Sequence, residues 1–351
     1  MVSRKDFLLR SLSLAASAAI AGPSALFATE NEETIRFFDL HCHPGNFYRR
    51  GSFAYPGDAS VIARVKEMAG QNMLGACFSL VSDFPLLKLT DKGVETSRAY
   101  APGEGWSEYK RQLAQFKELC ELAPMHIALT AKDLTSKPGS VAAYISCEGG
   151  DQLGSADQLD EMHADGVRVV QLVHYAPNAV GDLQTHAPEH QGLSELGKSV
   201  VRKMNKMGML VDVAHASFDT VKAVADVASA PFILSHSLLN IGNDRPIAAR
   251  TITTEHARLV ANSGGIIGAW PSAYSKDFAE YVDNIMRLVD AVGVDHVGLG
   301  TDMDSNFKPV MDRYAQLPDL AEALSKKGLG RKDLEKLAGG NAQRVLRKVL
   351  K

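Results

Sequence analysis

Two histidines, His41 and His43, close a short apolar run and are separated by one residue. Side chains alternate between the two faces of an extended strand, so this spacing places both imidazoles on the same face. Imidazole nitrogens are preferred ligands of zinc and of similar divalent ions. The pair therefore predicts a metal site at the end of the run.

Three more residues of types that bind metal ions each close or follow another apolar run, and they are Glu148, His215 and His236. The simplest arrangement is a dinuclear site in which Glu148 bridges the ions. His41 and His43 would bind one ion, and the other two histidines would bind the second. Two such ions about 3.5–4 Å apart hold a bridging hydroxide at neutral pH and polarise a carbonyl or phosphoryl oxygen. That is the chemistry of hydrolysis.

His174 and Asp302 also stand at the ends of apolar runs. Asp302 is expected to carry a proton from the bridging water to the leaving group. Simpler roles stay open, since His174 could be a hydrogen-bonded structural residue and Asp302 could accept from backbone N–H groups. Glu148 could be a helix N-cap or a surface carboxylate. The placement of all seven side chains at predicted strand ends favours a shared site.

Eight apolar runs separated by helical or irregular sequence would position these side chains. The runs are residues 36–41, 74–81, 142–147, 167–173, 209–213, 232–234, 265–269 and 294–300. Eight strands alternating with helices predict an α/β fold, a (β/α)8 TIM barrel, whose site lies at the carboxyl ends of the strands. A ninth run, 126–130, is expected to be an accessory strand or part of an insertion.

Helices are predicted between the runs, where apolar residues recur at helical spacing. They cover residues 59–71, 106–122, 158–165, 193–207, 218–228, 254–263 and 277–292. The tail, residues 317–351, contains two further helical patterns divided by Gly328 and Gly330. Its last helix is too basic and too narrow in its apolar stripe to be stable alone, so we expect a C-terminal helix that caps the barrel.

Residues 1–28 begin with a basic segment and continue with an uncharged stretch rich in Ser, Ala and Leu. This is the pattern of an export signal peptide, and it predicts a periplasmic protein with no membrane span after signal removal. The opening SRKDFLLR resembles the twin-arginine signal, with Arg4–Lys5 in place of two arginines, which leaves the export route open. Residues 29–351 show no composition break and are expected to form a single barrel domain.

The composition, 45% hydrophobic and 23% charged, is that of a globular protein with a substantial core. A formal net charge of -3 gives no basis for a nucleic-acid partner. The four cysteines, Cys42, Cys77, Cys120 and Cys147, would permit two disulfides in an exported protein. Three of them stand in or beside apolar runs, so we expect buried free thiols instead.

The segments around these residues resemble the membrane dipeptidase (renal dipeptidase) family of zinc peptidases, in the amidohydrolase superfamily. The resemblance extends from about Phe37 to the final helix. It is carried by SCEGGDQLG, VVQLVHYAPN, GMLVDVAHAS, PFILSHS, SGGIIGAW and DHVGLGTDMD. It implies a (β/α)8 barrel with a two-zinc site that hydrolyses the amide bond of a dipeptide. The stretch 82–138 shows no family feature that we can place.

Residue roles follow from the resemblance position by position. The metal ligands that it implies are His41, Glu148 as the bridge, His215 and His236. His174 matches the histidine that contacts the substrate and helps to stabilise the tetrahedral intermediate, and Asp302 matches the acidic proton-transfer residue. The segment RTITTEHARLV makes Arg250 the candidate that grips the substrate carboxylate, with Arg245 as a rival.

One position departs from the family, which has HxD at the first strand where this chain has His43. An imidazole keeps a donor atom but removes one negative charge, so the first ion would lie in a more positive site. The number of ions, the choice of metal and the standard dipeptidase activity are therefore open at this position.

The leading prediction is an exported metal-dependent hydrolase that uses a metal-bridged hydroxide to cleave the amide bond of dipeptides or related small N-acyl amino acids. Zinc is the expected cofactor, with two ions, and a small molecule is the expected partner. A hydrolase of a lactone or phosphoester and a non-hydrolytic barrel that binds metal or peptide are the alternatives. A homodimer is left open as the assembly.

Overall fold

The computed structural model describes residues 35–52, 54–90, 93–135 and 139–351. The predicted signal peptide, residues 1–28, lies outside this part of the chain. The strands that the structure describes are β1 Phe38–Cys42, β2 Gly75–Val81, β3 Leu87–Thr90, β4 Gly93–Thr96, β5 Met125–Ile127, β6 Val141–Glu148, β7 Val167–Gln171, β8 Leu210–Asp212, β9 Leu234–Ser237, β10 Ile267–Ala269 and β11 Val297–Leu299.

Eight of these strands are parallel and form a ring in the order β8-β7-β6-β2-β1-β11-β10-β9. The two ends of this order are joined by hydrogen bonds from Val213 N to Ile233 O (2.8 Å) and from Ile233 N to Val211 O (2.9 Å). Every residue of β6 is buried, as expected for a strand covered on both faces. The predicted TIM barrel is confirmed.

Helices cover the outside of the ring. They are α1 Asp58–Gly70, α2 Glu104–Leu122, α3 Gln158–Ala164, α4 Glu195–Met207, α5 Phe218–Val227, α6 Thr254–Asn262, α7 Phe278–Val292, α8 Leu317–Lys326, α9 Arg331–Glu335 and α10 Asn341–Val349. Four of them begin where a side-chain oxygen accepts a backbone N–H of the first turn, and these caps are Ser194, Ser217, Thr253 and Asp277. The caps fix the point at which the loops after β7, β8, β9 and β10 return to a helix.

Six barrel strands lie within two residues of their predicted bounds at each end, and two differ by three residues at one end. The sixth, predicted over 232–234, is β9 Leu234–Ser237, and it contains His236. The eighth, predicted over 294–300, begins only at Val297, because residues Val294–His296 form a 3-10 helix. In both places the hydrogen-bonded strand covers only part of the predicted apolar run, and β9 also extends beyond it.

The insertion between β2 and β6 contains the hairpin β3–β4 and the helix α2. It also contains β5, which pairs in parallel with the first residues of β6, Met125 opposite Val141. The ninth apolar run is therefore an accessory strand within an insertion, which agrees with both of its predictions. The hairpin was not predicted, because its short strands alternate only weakly between apolar and polar residues.

Close backbone contact beside β9 requires two glycines. A Cβ atom added to Gly268 or to Gly300 would lie 1.8 Å from the carbonyl oxygen of Ser235. No side chain fits at that distance, so both positions must be glycine. They allow Ser235, and with it the neighbouring His236, to lie close to the adjoining strands of the ring.

The C-terminal helix α10 closes the amino-terminal end of the barrel. Its Leu346 and Val349 belong to one buried cluster with Phe38, Tyr144 and Leu210 from the barrel strands. The side chain of Asn341 donates to Val294 O (2.7 Å) and Val297 O (2.8 Å), which anchors the start of the helix. The predicted capping helix is confirmed, and it lies opposite the carboxyl ends of the strands.

All four cysteines are free thiols, and Cys42, Cys77 and Cys147 are buried. The expectation of free thiols is confirmed for the three that stand in or beside apolar runs. Within the part of the chain that the structure describes, no helix has both the length and the apolarity needed to cross a lipid bilayer.

Candidate active site

The seven side chains that the sequence singled out meet at the carboxyl end of the barrel. Three of them lie in strands: His41 in β1, Glu148 as the last residue of β6, and His236 in β9. The other four follow β1, β7, β8 and β11, and they are His43, His174, His215 and Asp302. All seven are buried.

The carboxylate of Glu148 lies at the centre of the cluster. Five histidines direct Nε2 toward its oxygens, at distances of 3.2 Å for His41, 3.2 Å for His43, 3.3 Å for His174, 3.4 Å for His215 and 3.8 Å for His236. One carboxylate faced by so many nitrogens is an arrangement expected of a metal-binding centre.

The histidines also approach one another in pairs. The Nε2 atoms of His41 and His43 are 3.1 Å apart, and those of His215 and His236 are 3.0 Å apart. His43 is oriented from behind, because its Nδ1 donates to the carbonyl of Ser79 (2.9 Å). In the neutral ring this leaves a lone pair on Nε2 that points into the cluster.

Two serines hold the rings of His41 and His236. Ser235 Oγ lies 2.9 Å from His236 Nδ1 and 3.3 Å from His41 Nδ1. Ser79 Oγ lies 3.2 Å from the same Nδ1 of His41. Such outer contacts fix the ring orientation of metal-binding histidines and keep Nε2 directed at the ion.

The electrostatics favour ionised Glu148 and neutral His215 and His236. Burial would raise the pKa of Glu148, but the imidazoles around it, His174 and His41 first, hold that pKa well below its usual value. Burial lowers the pKa of His215 well below its usual value, and Arg250 lowers it further. Burial does the same for His236. An ionised carboxylate and neutral imidazoles are the states that bind metal.

His43 differs from these two histidines. Burial lowers its pKa, but hydrogen bonds to Asp302 and Glu148 outweigh burial and raise the pKa well above its usual value. Its Nε2 lies 3.3 Å from Asp302 Oδ1. A proton and a metal ion compete for this same nitrogen.

The donor set fits a divalent-ion centre. Three groups of ligand atoms each lie within 4.8 Å of one another: His41, His43 and Asp302; His41, Glu148 and His236; Glu148, His174 and His215. Nitrogen and carboxylate oxygen donors in such groups suit zinc and its neighbours in the first transition row. Nδ1 of His215 has no hydrogen-bond partner among the described residues.

A buried aspartate that the sequence analysis missed orients His174. Asp83 Oδ1 lies 2.6 Å from His174 Nδ1, and Oδ2 accepts the backbone N–H groups of Tyr175 (3.1 Å) and Ala176 (2.9 Å). Asp83 follows β2 by two residues, so the rule that selected the other seven side chains would also have selected it. The contact fixes the loop after β7 to the loop after β2.

Arg250 lies at the site and its rival does not. Arg250 is 2% exposed, donates to Gln184 Oε1 (2.6 Å) and places Nη2 3.3 Å from His236 Nε2. Its guanidinium lies 5.6 Å from the ring centroid of Trp270. Arg245 instead donates to both carboxylate oxygens of Glu280, at 2.8 and 3.0 Å.

The loops after β8 and β11 carry backbone strain at the site. Asp302 and Asp304 have φ angles of 53° and 69°, and His215 has a φ of 65°, in the left-handed region that non-glycine residues rarely occupy. Asp304 does not join the cluster, because its carboxylate accepts from Arg64 (2.7 and 3.0 Å) and from Gly45 N (2.7 Å). These contacts anchor the turn that presents Asp302.

A cavity of about 380 Å³ opens above the cluster. Glu148, His174, His215, His236 and Asp302 form its floor, and Trp270 and Tyr175 stand in its wall. A volume of this size is typical of sites that take small molecules.

The fold and the cluster together define a TIM barrel with a metal-binding centre at the carboxyl ends of its strands. The family model for membrane dipeptidases (peptidase family M19) matches residues 38–351. The chain therefore belongs to the membrane dipeptidase family, and the resemblance in its motifs is confirmed.

Named relatives agree with this family. Dipeptidase tcpJ of Claviceps purpurea (strain 20.1) is 34% identical over 239 residues, which are 64% of this chain and 55% of the relative. Dipeptidase aclJ of Aspergillus oryzae (strain ATCC 42149 / RIB 40) is 33% identical over 221 residues, 60% of this chain and 52% of the relative. The chain thus spans about half the length of these curated relatives.

The fold agrees with solved structures as well. A crystal structure of a family M19 dipeptidase, described as a metallo peptidase, has a TM-score of 0.74 and 22% sequence identity. The match covers 91% of this chain and 99% of that chain. At this identity the likeness supports the fold.

Proposed function

We propose that the protein is a metal-dependent hydrolase that cleaves the amide bond of dipeptides or related small N-acyl amino acids. Membership of the membrane dipeptidase family and the dipeptidase names of tcpJ and aclJ support this proposal. The observation that carries it is geometric: Glu148 faces five imidazoles on one side of a cavity, and the buried cation Arg250 adjoins them.

The proposed ligands divide into two groups that share Glu148. His41 and His43 would hold one zinc ion, and His215 and His236 the other. When bound, the two ions supply a Lewis acid for the scissile carbonyl and an activated water nucleophile at neutral pH. The rest of the reaction depends on protein side chains around the cluster.

Asp302 is the proposed proton carrier. Its Oδ1 lies 3.3 Å from His43 Nε2, and it lines the cavity, so it reaches both the cluster and a bound substrate. A carboxylate in this position can accept a proton from the nucleophile and pass it to the departing amine. The backbone N–H of Asp302 donates to His41 O (2.9 Å), which holds the two residues in register.

His174 is the proposed stabiliser of the negative oxygen that forms on the attacked carbonyl. Burial lowers its pKa, but Asp83 and Glu148 outweigh burial and raise it. The raised pKa favours the imidazolium, in which Nδ1–H donates to Asp83 and Nε2–H is the donor left to face the substrate. A fixed donor aimed at the place where charge develops stabilises the transition state without having to reorganise.

Arg250 is the proposed binding group for the substrate carboxylate. Its Nε has no hydrogen-bond partner among the described residues, although the side chain is buried. An unpaired buried donor is costly, and a substrate carboxylate would satisfy it with two parallel hydrogen bonds. A lactone or phosphoester without a carboxylate would make no use of this group.

A dipeptide panel tests the proposal. Purified protein loaded with Zn²⁺, Mn²⁺ or Co²⁺ is assayed against L,L and L,D dipeptides, with Asp302→Asn as the inactive control. We expect hydrolysis by the loaded wild type and loss of at least about 100-fold in the variant. Arg250→Ala should mainly raise KM for substrates with a free carboxylate, and an unchanged KM would exclude the assigned carboxylate site.

We also infer that residues 1–28 direct export to the periplasm, with the twin-arginine route as one candidate. We infer in addition that residues 29–351 act as one barrel domain. The basic start and the uncharged Ser/Ala/Leu-rich stretch support export. The single compact unit Ile35–Lys351 supports one domain. Cell fractionation of the full chain and of an Arg4→Lys variant tests the export route.

Light scattering of the purified protein tests whether it forms a homodimer.

A further inference from the structure

The cavity above the cluster has different chemistry on its two sides. On one side, Trp270 lines the cavity from the segment after β10, and Arg250, which follows β9, lies behind the lining with Nη2 3.3 Å from Nε2 of the cavity-lining His236. On the other side, Arg49 follows β1, and Phe84 and Lys88 follow β2. In the ring order, β2 is four strands from β9 in either direction, so Phe84 and Lys88 lie across the barrel from Arg250. Arg49 is nearer, because β1 is three strands from β9.

This topology sets the direction of a bound substrate. If the C-terminal carboxylate pairs with Arg250 and the scissile carbonyl lies at the cluster, the acyl half of the substrate must extend away from β9. It then lies beneath the segments that follow β1 and β2. We call the residues there, Tyr48, Arg49, Phe84, Leu87 and Lys88, the acyl wall.

Arg49 is the better fixed of the two cations in the acyl wall. Its guanidinium lies 5.3 Å from the ring centroid of Tyr48 and 5.9 Å from that of Phe84, and its Nε donates to the Tyr48 hydroxyl (2.9 Å). No carboxylate of the described residues lies within 4 Å of it. Its terminal nitrogens therefore keep their hydrogen-bonding capacity for another acceptor.

Lys88 is the second cation. It is exposed on β3 and lines the cavity, and it forms no ion pair within the described ranges. Glu95 stands opposite it in the hairpin register, but Glu95 does not line the cavity. Of the carboxylates that the structure describes, only Glu148 and Asp302 line the cavity, and both belong to the metal-binding cluster.

We propose that the protein prefers substrates whose acyl half carries a carboxylate side chain, such as dipeptides with Glu or Asp as the N-terminal residue. Two cations in the acyl wall would repel the free ammonium of a neutral dipeptide, whereas a side-chain carboxylate would offset that repulsion and accept from Arg49. This specificity rests on the proposed function, because it uses the direction that Arg250 and the cluster impose.

A binding measurement tests the preference for acidic substrates, because binding can be measured without hydrolysis. Zinc-loaded Asp302→Asn protein is titrated calorimetrically with two pairs of near-isosteric dipeptides, Glu-Ala with Gln-Ala and Asp-Ala with Asn-Ala. We expect the acidic member of each pair to bind about 5–25-fold more tightly, because each cation contributes up to ~1 kcal/mol at an exposed site. Added salt should reduce the ratio.

Matched variants identify the source of the preference. Arg49→Gln and Lys88→Gln should each lower the Glu-Ala to Gln-Ala affinity ratio by about threefold to fivefold, and Arg49→Lys should restore most of it. Lys222→Gln, which removes an exposed lysine of α5 outside the cavity, should leave the ratio unchanged. Lys88→Glu should favour Lys-Ala over Gln-Ala.

Two outcomes would overturn the proposed preference for an acidic N-terminal residue, and a third would separate this preference from the proposed hydrolysis. Equal affinity for both members of each pair, or a preference that survives in the Arg49→Gln, Lys88→Gln double variant, overturns it. If the acidic members bind more tightly and the active protein hydrolyses neither, the acyl-wall preference stands and dipeptide hydrolysis fails.

Discussion

Asp83 and His174 form the shortest contact that any histidine of the cluster makes, 2.6 Å from Oδ1 to Nδ1. Asp83 is fully buried, and its other oxygen accepts two backbone N–H groups of the loop that carries His174. The aspartate thus sets both the position of the loop and the nitrogen that the imidazole presents to the cavity. It acts through His174 and is a positioning residue.

The Asp83→Asn variant tests this role. An asparagine keeps an oxygen for the backbone donors but loses the charge that favours Nδ1–H on His174. We expect kcat to fall by about 10–100-fold with KM nearly unchanged, the range found when outer contacts of site histidines are lost. Steady-state kinetics with a melting curve check it. A lower melting temperature with an unchanged kcat would show a purely structural role.

Variants of His43 test whether this histidine, which stands where the family has aspartate, binds an ion. Its Nδ1 is committed to Ser79 O, so Nε2 is the only nitrogen that can bind an ion. His43→Gln should weaken one of two zinc sites by more than about 100-fold, since removing a ligand costs at least as much as removing its outer partner. His43→Asp, which restores the family residue, should retain both sites. Chelator competition measures both, and two unweakened sites in His43→Gln would show that His43 is no ligand.

His256 makes stability depend on pH away from the cluster. Burial lowers its pKa to about 4, so the unfolded chain binds more protons than the folded one between about pH 4 and pH 6.5. Stability therefore falls as the pH drops through this window, by roughly 1–3 kcal/mol for this residue. Urea unfolding at pH 7 and at pH 4.5 should show that the His256→Phe variant loses less free energy of unfolding between these pH values than the wild type does. An equal loss in both proteins would contradict the assignment.

The capping helix should contribute measurably to stability. Leu346 is 1% exposed in the cluster that closes the amino-terminal end of the barrel. Leu346→Ala should lower the free energy of unfolding by about 2–5 kcal/mol, the usual cost of a buried leucine truncation. Leu122→Ala is the matched control, since Leu122 is 53% exposed and its truncation should change stability by less than about 0.5 kcal/mol. Similar losses in both would show that the helix is not a stabilising cap.

The sequence predicted the barrel well because its strands are buried on both faces and read as apolar runs. It failed where a strand is polar. The strand Leu234–Ser237 continues past the apolar run through the polar residues Ser235 and His236, whose side chains contact each other at the site, Ser235 Oγ 2.9 Å from His236 Nδ1. The hairpin β3–β4, which lines the cavity mouth, was missed because each of its strands is only four residues long, too short for its weak alternation of apolar and polar residues to be recognised.

The site residues were found because each lies at or just after the end of a predicted strand, and that rule needs no knowledge of side-chain contacts. What the rule could not provide was the network around them. Ser79 and Ser235 are ordinary strand residues in the sequence, and only the fold brings their oxygens to the histidine rings. Asp83 lay within reach of the rule, but it stands at the start of an insertion without recognisable motifs.

A zinc titration of the metal-free protein tests the central claim most directly. Chelated protein receives zinc in known ratios, and bound metal, melting temperature and the initial rate of dipeptide hydrolysis are measured on the same samples. The account predicts that the rate and the melting temperature both rise and level off at two zinc ions per chain. Hydrolysis that is absent at every ratio, or that is unchanged by removing the metal, would contradict it.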